Sequence, residues 1–130
     1  MNVCHLDLKP DNIIIDDENL TIIDFNVSTH MDSDGNVRGG QGRKEWSAPE
    51  TRLNLVYNGA KADAWSLGLI FGFMLSGKAP THEMSAEERA QQAINSTEVP
   101  EIKQILEGLL DIDAKIRLTP EECLPKLHDL

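Results

Sequence analysis

The chain is poor in positive charge. It carries 12 lysines and arginines against 22 aspartates and glutamates, a net charge of −10 over 130 residues. Lacking a basic footprint, it is not expected to partner nucleic acid or an anionic membrane surface. Cysteine is scarce too: Cys4 and Cys123 are the only two, and their separation matches no metal-ligand spacing. Two reduced thiols in an intracellular, cytoplasmic protein are the simpler reading, with a disulfide as the alternative. The N-terminus lacks the charged-then-apolar order of a secretory signal. Long apolar runs are missing as well. The longest, Leu67 to Leu75, is broken by glycines and too short to span a bilayer. No repeat is visible, and no low-complexity segment beyond one glycine-rich patch. The length allows one domain at most, and 40% hydrophobic residues are enough for a core.

Against this background one polar stretch stands out. His5 to Asn12, HLDLKPDN, packs a histidine, two aspartates, a lysine and an asparagine into eight positions. It is too polar for a core strand, and Pro10 removes a backbone donor, so a rigid loop is expected. Ile13, Ile14 and Ile15 follow at once and read as a short buried strand. A polar loop feeding a buried strand is how a site is held on a scaffold. The chemistry it suits is phosphoryl transfer, with Asp7 accepting a hydroxyl proton, Lys9 neutralising the moving phosphoryl group and Asn12 holding a metal ion. The plain alternative is a polar turn whose Asp and Asn serve turn geometry.

Asn2 to Cys4 and Leu20 to Ile23 read as further short strands, with a turn at Asp16 to Asn19. A hairpin of Ile13–Ile15 with Leu20–Ile23 brings Asp24 back beside Asn12. A carboxylate and an amide oxygen converging there suit a hard cation such as Mg²⁺ on nucleotide phosphates. Alone, Asp24 is equally well explained as a strand-end turn residue. From His30 to Gly42 four glycines and few apolar residues predict a mobile loop.

Helices are expected from there on, so the fold class is mainly α. Ala48 to Leu53 predicts one or two turns. Lys61 to Ser76 is apolar on nearly every face, which marks a buried helix, and Gly77 supplies its stop. Ser85-Ala-Glu-Glu88 is a capping box opening a helix to about Ser96, whose thin apolar side predicts a surface position. Pro100 to Leu110 starts on proline and places Ile102, Ile105, Leu106, Leu109 and Leu110 on one face. Thr119-Pro-Glu-Glu122 caps a last helix that Pro125 should bend or end early.

Together with Asp24-Phe25-Asn26, Ala48-Pro49-Glu50, Asp63-Ala-Trp-Ser-Leu-Gly68 and Arg117, HLDLKPDN resembles the C-terminal lobe of a eukaryotic protein kinase of serine/threonine type. The motifs occur in the family's order from His5 to the C-terminus. The resemblance implies a helical lobe with a small β-hairpin region over residues 1–130. It makes Asp7 the catalytic base and Lys9 the phosphate-contacting lysine. Asn12 and Asp24 become Mg²⁺ ligands, and Ile14 becomes the floor under the adenine of ATP. By the same resemblance His5 and Phe25 join a stacked hydrophobic column anchored by Asp63. Glu50 and Arg117 form a buried ion pair that ties the activation segment to the helical core.

Four departures from the family qualify this. The N-terminal lobe and the helix before the catalytic loop do not precede Met1, so one flank of Lys61 to Ser76 is expected to lack cover and to recruit a second copy or a partner helix. Leu6 replaces an arginine that would pair with a loop phosphate. Asn26 replaces a glycine, and asparagine tolerates positive φ better than most residues. Arg43 stands where the family has threonine; it either pairs with Asp7 and repels Lys9, or faces solvent. Two functions follow. One is part of a kinase acting on a protein substrate, with these 130 residues inactive by themselves. The other is a catalytically silent kinase-like module that binds a partner protein.

Overall fold

The computed structural model describes residues 2–39 and 45–128. In chain order its elements are β1 (Val3–Cys4), a 3-10 turn (Pro10–Asn12), β2 (Ile13–Asp16), β3 (Asn19–Ile22), β4 (Thr29–His30), β5 (Asn36–Arg38), α1 (Glu50–Leu53), β6 (Val56–Asn58), α2 (Gly59–Ser76), α3 (Ala86–Ile94), α4 (Pro100–Leu109) and α5 (Pro120–His128). The strands form three separate antiparallel pairs, β1 with β4, β2 with β3, and β5 with β6. None of these builds a layer of its own, so the core is helical.

That core is organised around α2. The Asn58 side chain caps it by accepting from the Lys61 N–H at 2.9 Å. At the other end Gly77 takes φ 73, and its N–H donates to the Phe73 carbonyl at 2.7 Å. Its apolar residues meet neighbours on several sides: Trp65 and Leu69 are buried in one cluster with Ile105, Leu106 and Leu109 of α4 and with Cys123 of α5. Small residues set the spacing. A Cβ added at Gly72 would lie 2.5 Å from the Ala93 Cβ, and one at Gly68 would lie 2.7 Å from Leu110. Helix α3 therefore packs tightly on α2 through Ala90 and Ala93, which are buried. Glu87, Glu88 and Gln91 stay exposed, so α3 lies at the surface as its thin apolar side predicts, and a narrow buried side suffices because the opposing residue has no side chain. Both of its capping bonds are present, Ser85 N to Glu88 Oε1 at 3.0 Å and Glu88 N to Ser85 Oγ at 3.1 Å.

Some expectations change. Within the stretch read as a mobile loop, the Asp32 carboxylate accepts the N–H groups of Asp34 and Asn36 at 2.9 Å each, and Gly35 turns the chain at φ 83. This launches β5, whose Val37 is buried opposite Tyr57 of β6. One apolar side chain in the right register outweighed the glycine content. Helix α5 runs through Pro125 to His128. The bond lost is the one to the carbonyl of exposed Glu121, which water can replace. The flank of α2 is covered over most of its length; what stays open is its last turn, at Met74 and Leu75.

The largest correction concerns β2. The strand forms, but it is not buried: Ile14 is 48% exposed and Ile15 67%. Among the described residues its one strand partner is β3, whose Leu20 is 61% exposed. Alternation puts the isoleucines on both faces of a two-stranded ribbon, and neither face meets a second layer.

Candidate active site

The polar loop is held from below by one carboxylate. Asp63, in the second turn of α2, accepts the His5 N–H at 2.7 Å on Oδ2 and the Leu6 N–H at 2.9 Å on Oδ1. Burial pushes the Asp63 pKa up from 3.8, while these two N–H donors and His5 act the other way. The clamp holds Leu6 at φ 66, a conformation that a leucine adopts only when its surroundings impose it. The Leu6 side chain is buried, so the position that holds arginine in the family it resembles faces the core.

His5 continues the network. Its Nδ1 accepts the Asp7 N–H at 3.1 Å, which makes Nε2 the protonated nitrogen, donating to the Ile23 carbonyl at 2.9 Å. Its ring meets Phe25 edge-on, centroids 4.6 Å apart. Asn12 closes the loop on itself. Its Nδ2 donates to the Asp7 carbonyl at 2.8 Å and lies 3.4 Å from Asp7 Oδ2. The Asn12 carbonyl also accepts from Ile23 N–H at 2.8 Å. That bond, one step beyond the β2–β3 register, brings Asp24 next to the loop. His5, Asp7, Asn12 and Asp63 are thus joined by hydrogen bonds, and Phe25 stacks on the same group.

Not every expected residue joins this cluster. Lys9 contributes its carbonyl to the turn at Asn12, and among the described residues no side-chain bond of Lys9 is seen. Asp24 is exposed at φ 62, its Oδ1 3.4 Å from the Asn26 N–H. The residue in the left-handed region is therefore Asp24 rather than Asn26, because a short acidic side chain can bond its own backbone there. Ile14 lies on the open hairpin. Arg43 lies outside the described residues. A cavity of about 620 Å³ beside Glu50, Tyr57, Lys61 and Ile112 contains none of the loop.

Glu50 and Arg117 form a separate centre. Arg117 Nη1 and Nη2 donate to Glu50 Oε2 and Oε1 at 2.6 and 2.9 Å, a bidentate fork. Arg117 is 1% exposed. Its remaining donors go to the carbonyls of Asp111 and Lys61, both at 2.8 Å, and its guanidinium lies 5.1 Å from the Trp65 ring centroid. Trp65, on the helix whose pattern marks it as buried, thus also faces a cation. The carbonyls of Ile23, Lys61 and Asp111 were missed because a backbone acceptor leaves no mark in residue identity.

Residues 1–127 match the protein kinase domain family. The chain belongs to the protein kinase family. Within it, the chain is of the eukaryotic serine/threonine type. Sperm motility kinase 2B of Mus musculus is 33% identical over 137 aligned positions, covering 95% of this chain and 28% of that protein. CBL-interacting serine/threonine-protein kinase 10 of Arabidopsis thaliana is 34% identical over 127 positions, covering 90% and 26%. The chain thus spans roughly a quarter of the length of the curated relatives it matches.

Proposed function

We propose that the chain is the C-terminal lobe of a protein serine/threonine kinase, which transfers the γ-phosphate of ATP to a protein hydroxyl. The observation that carries this is the convergence of Asp7 and Asn12 on a loop whose backbone is clamped by Asp63. Phosphoryl transfer asks mainly for positioning and charge placement, and a clamped loop supplies the first. Asp7 accepts the proton of the attacking hydroxyl. Lys9 places a cation beside the phosphoryl group in transit. His5 and Phe25 keep the loop and the segment after β3 in register, and Glu50 with Arg117 ties the segment before α1 to the core.

The donor chemistry fits Mg²⁺. With the Asn12 NH₂ committed to Asp7, its oxygen is the atom left for a cation, and Asp24 adds a carboxylate one step beyond the β2–β3 register. Bound there, the ion would neutralise nucleotide phosphates. Ile14 then forms one wall for adenine, and a second wall must come from elsewhere. These 130 residues should therefore bind Mg-ATP worse than about 1 mM, less than roughly 4 kcal/mol.

A second reading, a catalytically silent module that binds a partner protein, draws support from Leu6, which is buried where the resemblance sets a phosphate-pairing arginine. Manganese separates the two on the chain as it stands. Paramagnetic Mn²⁺ should broaden the amide resonances around Asn12 and Asp24 selectively, and Asp24→Asn should remove the effect. Uniform broadening, or none, would count for the silent module.

A further inference from the structure

We infer that Ser66 is a positioning residue for the protein substrate, holding the segment before α1 in register with the loop that carries Asp7. This role rests on the phosphoryl-transfer reading of that loop. Ser66 lies in the middle of α2 and is 5% exposed. A buried serine within a helix ordinarily returns its proton to the carbonyl four residues back. Here Oγ lies 3.5 Å from the Ala62 carbonyl but 2.6 Å from the carbonyl of Trp46, a residue outside the helix. A hydroxyl has one proton to give, and the shorter bond takes it. Alanine would suit the helix better, so the hydroxyl serves the Trp46 segment rather than α2.

The same face of α2 holds the Asp7 loop. Asp63, Ser66 and Phe73 recur at helical spacing, so their side chains share one face. Asp63 clamps the N–H groups of His5 and Leu6, and Ser66 ties the Trp46 carbonyl. Three residues of helix put these two attachments about 4.5 Å apart along the axis. Phe73 then meets the Trp46 ring edge-on, centroids 5.9 Å apart. Trp46 is thus fixed twice, by its backbone and by its ring. Beyond it Ala48 is 1% exposed, and its carbonyl accepts from Thr51 Oγ1 at 2.7 Å. Among the described residues the strand pairs leave 45–49 out, so α2 is the rigid body to which both segments are tied. A cavity of about 420 Å³ lies along this segment, lined by Ser47, Ala48 and Pro49 together with Met84 and Ala86. A peptide laid against it is placed through Ser66, while the base for its hydroxyl is placed through Asp63. The nucleotide side is independent of Ser66, since Asn12 and Asp24 are set by the loop and the β2–β3 register.

Two measurements test this. The first, on the 130-residue chain, is amide hydrogen exchange. Ser66→Ala should speed exchange of the Thr51 and Arg52 N–H groups, which donate to the Ala48 and Pro49 carbonyls, by about ten-fold. The His5 and Leu6 N–H groups on Asp63 should exchange as before. Exchange raised evenly over the chain, or not at all, would overturn the proposal. The second uses the chain completed with an N-terminal lobe. Ser66→Ala should lower kcat/KM for a serine peptide about ten-fold and leave KM for ATP unchanged. Ser66→Thr keeps the donor and should recover most of the loss. A hydroxyl that only stabilised the fold would lower the urea midpoint and leave this contrast between the two substrates absent. Peptide kinetics untouched by Ser66→Ala, an equal effect on ATP, or no recovery with threonine would overturn the proposal and spare the phosphoryl-transfer reading. No transfer by the native completed chain would overturn that reading and this role with it.

Discussion

Arg117→Met removes the cation from the most buried charged centre of the molecule. The guanidinium makes two short bonds to Glu50 and two at 2.8 Å to the carbonyls of Asp111 and Lys61. Methionine fills much of the volume but donates nothing. Glu50, 7% exposed, is left as a buried carboxylate without its partner. Losing one side of such a pair costs about 3–5 kcal/mol, and each orphaned carbonyl adds up to about 1 kcal/mol. A domain of this size has about 5–15 kcal/mol in total, so the variant should sit at the edge of unfolding. Urea denaturation followed by circular dichroism measures the loss directly. Arg117→Lys keeps the charge and gives up the fork, so it should lose less. The double variant Glu50→Met with Arg117→Met removes both charges and should be more stable than Arg117→Met alone. A loss below about 1 kcal/mol for Arg117→Met, at unchanged denaturant slope, would refute the assignment of this pair as the tie between α1 and the core.

Gly72→Ala drives a methyl into Ala93, including its backbone Cα at 2.7 Å, and should cost about 1–3 kcal/mol in the same urea assay; a neutral result would mean α3 does not pack where described. Burial pushes the Cys4 thiol from 9.0 up to about 11 and the Tyr57 phenol from 10.0 up to about 12. Both raised values favour the protonated folded state. Their contribution is whole below pH 9 and is lost as pH rises through about 11 and 12. Urea midpoints should fall steadily across that range, and Cys4→Ala should flatten the lower part; a level profile would contradict the burial of both groups. In a chain completed with an N-terminal lobe, Arg43→Thr should raise turnover about ten-fold if Arg43 competes for Asp7, with ATP affinity unchanged. An unchanged rate would place Arg43 in solvent.

Helix ends were the most legible part of the fold. The boxes at Ser85 and Thr119, Pro100 at its helix start and Gly77 at its stop all stand where local chemistry put them. Those signals act within one turn and need no tertiary context. Burial was less legible, because it depends on what lies opposite. The isoleucine run after Asn12 has the composition of a core strand, yet it stands on an open ribbon. The close approach of α3 to α2 was not legible either, since it depends on Gly72 lying opposite Ala93. Strand β6 carried no turn signal of its own and exists because Val37 and Tyr57 pair across it. At the candidate site, spacing was enough to bring Asn12 and Asp24 to adjoining positions. Family resemblance marked Asp63 as the anchor of a column with His5 and Phe25, but its clamp on the backbone N–H groups of His5 and Leu6 was not legible, since N–H donors are not written in side chains.

The central claim is that Asp7 works as the base of a phosphoryl transfer. The most direct measurement is single-turnover transfer of labelled γ-phosphate from Mg-ATP to a serine peptide, using the chain completed with an N-terminal lobe. Transfer should be measurable with the native loop. Asp7→Asn, close in shape and able to keep the Asn12 contact, should lower the rate by at least about 100-fold with little change in nucleotide affinity. Equal rates for the two, or no transfer from a well-folded native chain that binds Mg-ATP, would contradict the account.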